Sequence, residues 1–136
     1  MPVTLFSPAD MLPNAPYHHV ALATGTRQVH IAGQVAHMPD GSSIPADLAG
    51  QVSQTLRNVA RGLAGADASF RDVVRLTFYV TDWHPDKIQE FMTGVQGVAQ
   101  EIGLPDPMPP ASLIGVAALY EPTVLVEMEA TAVVDR

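Results

Sequence analysis

Glu127 and Glu129 are the residues of this chain best placed to do chemistry, two carboxylates two positions apart in the run Val124-Leu125-Val126-Glu127-Met128-Glu129-Ala130-Thr131-Ala132. The run alternates strictly, which predicts a strand with Val124, Val126, Met128, Ala130 and Ala132 on one face and Leu125, Glu127, Glu129 and Thr131 on the other. Alternation alone is met by a half-solvated strand with its glutamates in water. The apolar company of these two makes a site or a subunit interface the competing reading. A carboxylate in a partly dry pocket can have a raised pKa and act as general acid, general base or water holder. That chemistry suits hydrolysis or proton transfer on a small molecule.

Other chemistries lack their parts. The sequence holds no cysteine, so disulfides, thiol nucleophiles and thiolate metal sites are excluded. The five histidines, His18, His19, His30, His37 and His84, show no metal-ligand spacing, and each reads as a surface or interface residue. No serine sits in a nucleophile elbow, and the surroundings of Gly33 lack the glycine spacing of a phosphate or dinucleotide loop. Metal ligation, covalent serine chemistry and nucleotide binding therefore all lack their parts.

The elements that must position the glutamates follow from periodicity. Residues 17–23 read as a strand, with Thr24-Gly25-Thr26 as turn chemistry and residues 28–35 as its hairpin partner. Gly33 inside that second strand suggests a bulge or a close approach. Leu48, Val52, Leu56, Val59 and Leu63 recur at helical spacing between Ala46 and Gly65, with Pro45 suited to the first turn. Residues 72–81 form the next strand, Val74, Leu76, Phe78 and Val80 on its apolar face. A second helix runs from about Pro85 to Ile102, burying Ile88, Phe91, Met92, Val95, Val98 and Ile102 and stopping at Gly103. After a proline-rich segment, residues 112–119 form a strand apolar on both faces, and Tyr120-Glu121-Pro122 turns the chain into the glutamate strand. The order is β-β-α-β-α-β-β, with a short extra strand at residues 3–6.

Composition sets the outer limits. At 136 residues the chain is one domain, 1–136, with one core. It is 47% hydrophobic and only 15% charged, too few charges to cover a monomer, so apolar surface is expected to meet another subunit. Two helices cover one face of the sheet; the mixed apolar and acidic face left over predicts sheets of several subunits packed together in a closed homo-oligomer. A net charge of −7 with no basic cluster argues against nucleic acid. No apolar run approaches a membrane span, and Met1-Pro2-Val3-Thr4 does not open a secretory signal, so the expected address is cytoplasmic.

Taken in order, several pieces resemble the RidA/YjgF family across nearly the whole chain. They are Ala15-Pro16-Tyr17, Ile31-Ala32-Gly33-Gln34, the stretch from Asp72 to Asp82, the stretch from Pro110 to Leu119, and Val126-Glu127-Met128-Glu129-Ala130. The resemblance implies an α+β, chorismate-mutase-like fold, a mixed sheet with two helices on one face. It also implies a homotrimer with the sheets packed into a central barrel and pockets between subunits. The implied activity is hydrolysis of reactive enamines and imines, such as 2-aminoacrylate, to 2-keto acids and ammonia, with no metal or organic cofactor. Carried across, Glu127 would hold the attacking water, Tyr17 would orient the ligand, and the Gly33 backbone would approach it.

The chain departs from that pattern where substrate is held. The arginine that forks onto a substrate carboxylate is replaced by Ala111, and no Arg or Lys lies between Ile88 and Asp135. The family's cysteine two positions on is Leu113, its serine before Gly33 is Ala32, and its second-helix asparagine aligns with Glu90. The reading that results is a divergent hydrolase or deaminase for a neutral or cationic imine, enamine or related carbonyl compound. A non-catalytic small-molecule-binding or regulatory trimer is the alternative. An RNA-acting protein is the third reading, against which the charge balance speaks.

Overall fold

The computed structural model describes residues 2–135. Its strands are β1 (Val3–Phe6), β2 (Val20–Ala23), β3 (Arg27–Gln34), β4 (Val73–Thr81), β5 (Ala111–Val116) and β6 (Val126–Val134); its helices are α1 (Leu48–Gly65) and α2 (Ile88–Ile102). The main sheet has the order β3-β6-β4-β5. β4 and β5 run parallel, and both partners of β6 are antiparallel to it, so the sheet is mixed. Both helices lie on one face. Val52, Leu56, Val59 and Leu63 of α1 and Phe91, Val95 and Val98 of α2 bury against Leu76, Phe78 and Val80 of β4 and the even-numbered residues of β6. The Phe78 and Phe91 rings meet edge to face, with centroids 4.9 Å apart, a geometry that aromatic quadrupoles favour. This is the α+β arrangement expected.

The expected β2–β3 hairpin does not form. β2 pairs with β1 in a two-stranded sheet, while β3 pairs with β6. Turn chemistry is local and says only that the chain reverses; burial chooses the partner. Lying beside β6, β3 packs Val29 and Ile31 against the core. Tyr17, placed in the first strand by its sequence, precedes β2 and makes an isolated bridge to Met108.

Two apolar stripes are also corrected. A register shift between Val73 and Arg75 opposite β6 takes Val74 off the core face and puts Val73 there with Leu76. Ile88, the first residue of α2 after a 3-10 turn at Pro85–Lys87, is 43% exposed and off the core stripe. Other ends move as well: Pro45 lies ahead of α1 rather than in its first turn, and β5 stops at Val116 rather than reaching Leu119. Asp47 caps α1 by accepting from the Gly50 backbone N–H at 3.2 Å. Gly103, at φ 69°, ends α2 in the left-handed conformation that favours glycine.

α1 and α2 approach closely at Gly94, where Ser53 Oγ donates to the Gly94 carbonyl at 2.6 Å. A Cβ on Gly94 would come within 2.5 Å of the Ala49 carbonyl oxygen and 2.8 Å of Val52 Cβ. One turn further, a Cβ on Gly97 would meet only Ser53 Oγ at 3.6 Å. Alanine gains about 1 kcal/mol over glycine inside a helix, whereas overpacking costs about 1–3 kcal/mol. Gly97→Ala should therefore stabilise the protein by up to about 1 kcal/mol and Gly94→Ala should destabilise it. Urea unfolding of the two variants checks the opposite signs.

Candidate functional site

β6 places Glu127, Glu129 and Thr131 on the sheet face that no helix covers, opposite Val126, Met128 and Ala130 in the core. Its neighbours put Arg75, Thr77 and Tyr79 of β4, His30 of β3 and Ser112 of β5 on that same face. Cross-strand pairs set Tyr79 beside Glu127 and Thr77 beside Glu129. The Tyr79 hydroxyl donates to Glu129 Oε1 at 2.8 Å, and the Arg75 guanidinium donates to the Ser112 hydroxyl. A concavity of about 400 Å³ lies among His30, Arg75, Thr77, Glu129 and Thr131.

Glu127 turns away from this group toward β3 and lies directly over Gly33. A Cβ on Gly33 would collide with the carboxylate, reaching 2.7 Å from Glu127 Cδ. The missing side chain is thus what seats the carboxylate against backbone. Two residues that sequence reasoning left aside meet beyond the end of β3. Tyr120 Oη lies 2.6 Å from His37 Nε2, and His37 follows Gly33 by four positions. A tyrosine in a turn and a histidine past a strand end carry no sequence pattern that joins them.

Four further residues singled out by sequence lie elsewhere in the chain. Ala111 and Leu113 on β5 pair with Leu76 and Phe78 and pack on the helix side of the sheet. Tyr17 packs at the core edge, its ring edge-on to His19 at 5.2 Å. Glu90 Oε2 accepts from the backbone N–H groups of Leu48 and Ala49, at 3.1 and 3.4 Å, so it closes the N-terminus of α1. Ala32 stays beside Gly33 on the open face. One chain therefore gathers Ala32, Gly33 and Glu127 at the β3–β6 edge and Tyr17, Ala111 and Leu113 toward the β5 edge, with β4 between.

Among the described residues no three His, Asp or Glu side chains gather as a metal site, and no helix is long and apolar enough to cross a membrane. The α1 arginines are engaged within the chain. Arg57 forms two bonds to Glu101, at 2.9 and 3.2 Å, and Arg61 donates to Asn58 Oδ1 at 2.7 Å.

The profile of the endoribonuclease L-PSP family matches residues 8–134. Among solved structures, the Rid-family protein YyfB of Yersinia pestis, of unknown function, is 36% identical. It superposes with a TM-score of 0.85, over 98% of this chain and 100% of that one. A member of the YjgF/YER057c/UK114 family from Mycobacterium tuberculosis is 30% identical, with a TM-score of 0.62 over 97% and 99% of the two chains. TdcF of E. coli, solved with bound serine, is 26% identical, with a TM-score of 0.68 over 96% and 94%. No curated protein matches the chain.

The Tyr79 phenol titrates above its ordinary value, first because it donates to the Glu129 carboxylate, then through partial desolvation and the charges of Glu129 and Glu127, with Arg75 opposing. A raised phenol pKa favours the folded state below the unfolded value, and that contribution is lost as pH rises through the folded one. Glu129→Gln should shift the Tyr79 transition to lower pH in a phenolate absorbance titration, with Tyr79→Phe assigning it. An unmoved transition would exclude the bond as its cause.

Proposed function

This chain belongs to the endoribonuclease L-PSP family, the Rid or YjgF proteins, and we propose that it hydrolyses a small uncharged or cationic imine or enamine, without a cofactor, in pockets between the subunits of a homotrimer. The observation that carries this reading is the Glu127 carboxylate seated on side-chain-free Gly33 at the edge of the uncovered face. From there the carboxylate takes a proton from water as the water oxygen bonds to the carbon of the protonated imine. The C=N π pair moves to nitrogen, and the Glu127 carboxyl then gives its proton to that nitrogen. The carbinolamine then collapses to a carbonyl compound and ammonia, or an amine.

The substrate class follows from charge. Ala111 offers no guanidinium, and Glu127 would face a substrate carboxylate as a like charge. Losing one partner of a desolvated charge pair costs about 2–5 kcal/mol. A neutral imine avoids that loss, and a protonated one also gains attraction from Glu127. The serine bound to TdcF supports a small-molecule occupant for this fold.

The trimer accounts for the division of the site between two sheet edges. A second subunit bringing its Tyr17, Ala111 and Leu113 edge against the Gly33–Glu127 edge would close the pocket. Packing of the uncovered faces into a barrel would cover Ile114, 45% exposed here, and half-buried Tyr79. A binding or regulatory trimer without turnover is the second reading, favoured by the loss of polar groups at Ala32, Ala111 and Leu113. The engaged α1 arginines and the negative net charge weigh against an RNA substrate.

Ammonia release from freshly generated imines, carboxylate-bearing and uncharged, tests the reading. Wild type should turn over the uncharged class, and Glu127→Gln should lower kcat by about 100-fold or more. Gly33→Ala should match that loss while leaving stability within about 1 kcal/mol, because only the flexible end of Glu127 must move. Unimpaired turnover in Glu127→Gln would remove the glutamate from catalysis. No turnover of either class would favour the binding trimer.

A further inference from the structure

The chain between β1 and β2 is folded into a cup. The Met11 N–H donates to the Pro8 carbonyl at 3.1 Å, closing a turn, and Asn14 stands at φ 61°. His19 ties both halves of this segment down. Its backbone N–H donates to Ser7 Oγ and its Nε2 donates to the Leu12 carbonyl, each at 2.9 Å. The end nearer β2 is fixed to the segment ahead of β5. The His18 N–H donates to the Met108 carbonyl at 2.7 Å, and the Met108 N–H to the Pro16 carbonyl at 2.9 Å. Pro8, Pro13 and Pro16 stiffen the chain further. The cup holds about 470 Å³, within the range of small-molecule sites.

Its lining is apolar and open to solvent. Phe6, Met11 and Leu12 stand 42%, 41% and 69% exposed around it, and Tyr17 and Pro107 add to the apolar surface. Single exposed apolar residues are ordinary, whereas large ones gathered at one concavity mark a contact site. No Lys, Arg, Asp or Glu is among the lining residues. A charged occupant would lose water there without compensation, and a neutral apolar one would not. The hydrogen bonds that shape the cup are already made, so little ordering is left to oppose binding. Tyr17 bounds the cup and also belongs to the edge that the trimer would carry to Gly33 and Glu127.

We infer that the cup is the substituent subsite of the imine hydrolysis proposed above, and that the substrate carries an aryl or branched alkyl group on its imine carbon. The inference rests on that hydrolytic reading and narrows its substrate from a class of charge to a class of shape. Tyr17 links the two parts of the site, facing the C=N group on one side and bounding the cup on the other. Met11 and Leu12 are then specificity residues, which touch the substituent and not the reacting atoms. Each methylene moved from water into the cup raises kcat/KM by about fourfold. A charged group in the same place gains nothing.

The test measures kcat/KM on carboxylate-free imines whose carbon bears methyl, propyl, isobutyl or benzyl, each divided by its uncatalysed hydrolysis rate. Wild type should rise along the alkyl series by about fourfold per added methylene, with benzyl at the top. Leu12→Ser and Met11→Ser should flatten that rise. Leu22→Ser, at an exposed leucine outside the cup, should keep it. A second readout needs no turnover: benzylacetone, an aryl ketone of the product class, should shift the Met11 methyl resonance, assigned with Met11→Leu, and acetone should not. A flat wild-type series, or a rise that survives both serine variants, overturns the subsite and leaves the hydrolytic reading intact. Wild type inert toward every imine overturns the hydrolytic reading. In that case a Met11 signal shifted by benzylacetone retains the cup as a site for neutral apolar ligands, and an unmoved one overturns the cup as well.

Discussion

β6 is hydrogen-bonded on both sides, to β3 and to β4, and this double pairing governs where everything else can go. A strand held at both edges cannot rotate about its axis, so alternate side chains must leave on opposite faces. Val126, Met128, Ala130, Ala132 and Val134 therefore enter the core, and Glu127, Glu129 and Thr131 are held on the open face. A one-residue slip would bury two carboxylates under the helices, a cost no packing gain could offset. The hydrophobic effect and the placement of the glutamates thus enforce the same register.

α1 has two duties that its hydrophobic stripe does not reveal. One side supplies Val52, Leu56, Val59 and Leu63 to the core. Its polar residues reach past the sheet to satisfy loop backbone: Gln51 at residues 45, 123 and 125, Asn58 at residues 35 and 37. Buried loop carbonyls left unpaired would be costly, so two amides on one helix hold in place the loops that flank Glu127. These bonds tie the loops that bear Tyr120 and His37 to α1.

Electrostatics give this member of the family its character. Glu127 sits on glycine rather than beside a guanidinium, and its neighbours on the uncovered face include Tyr79 and Glu129. In the pocket proposed above, a carboxylate at Glu127 with no guanidinium at Ala111 would select by charge before it selects by shape.

The sequence by itself determined the element order, both helices, the two faces of the glutamate strand, and the family to which the chain belongs. Each is written in local periodicity or in short ordered motifs, so neighbours along the chain are enough to read them. Pairing was not legible. Thr24-Gly25-Thr26 announced a reversal, but only tertiary burial decided that β2 would join β1 and β3 would join β6. Val74 read as core because alternation assumes an unbroken ladder, and the bulge after Val73 breaks it. The contact of Gly33 with Glu127 and the meeting of His37 with Tyr120 needed the folded chain. Contacts between residues some 80 or more positions apart leave no period in the sequence; they exist only where packing brings separate loops to one place.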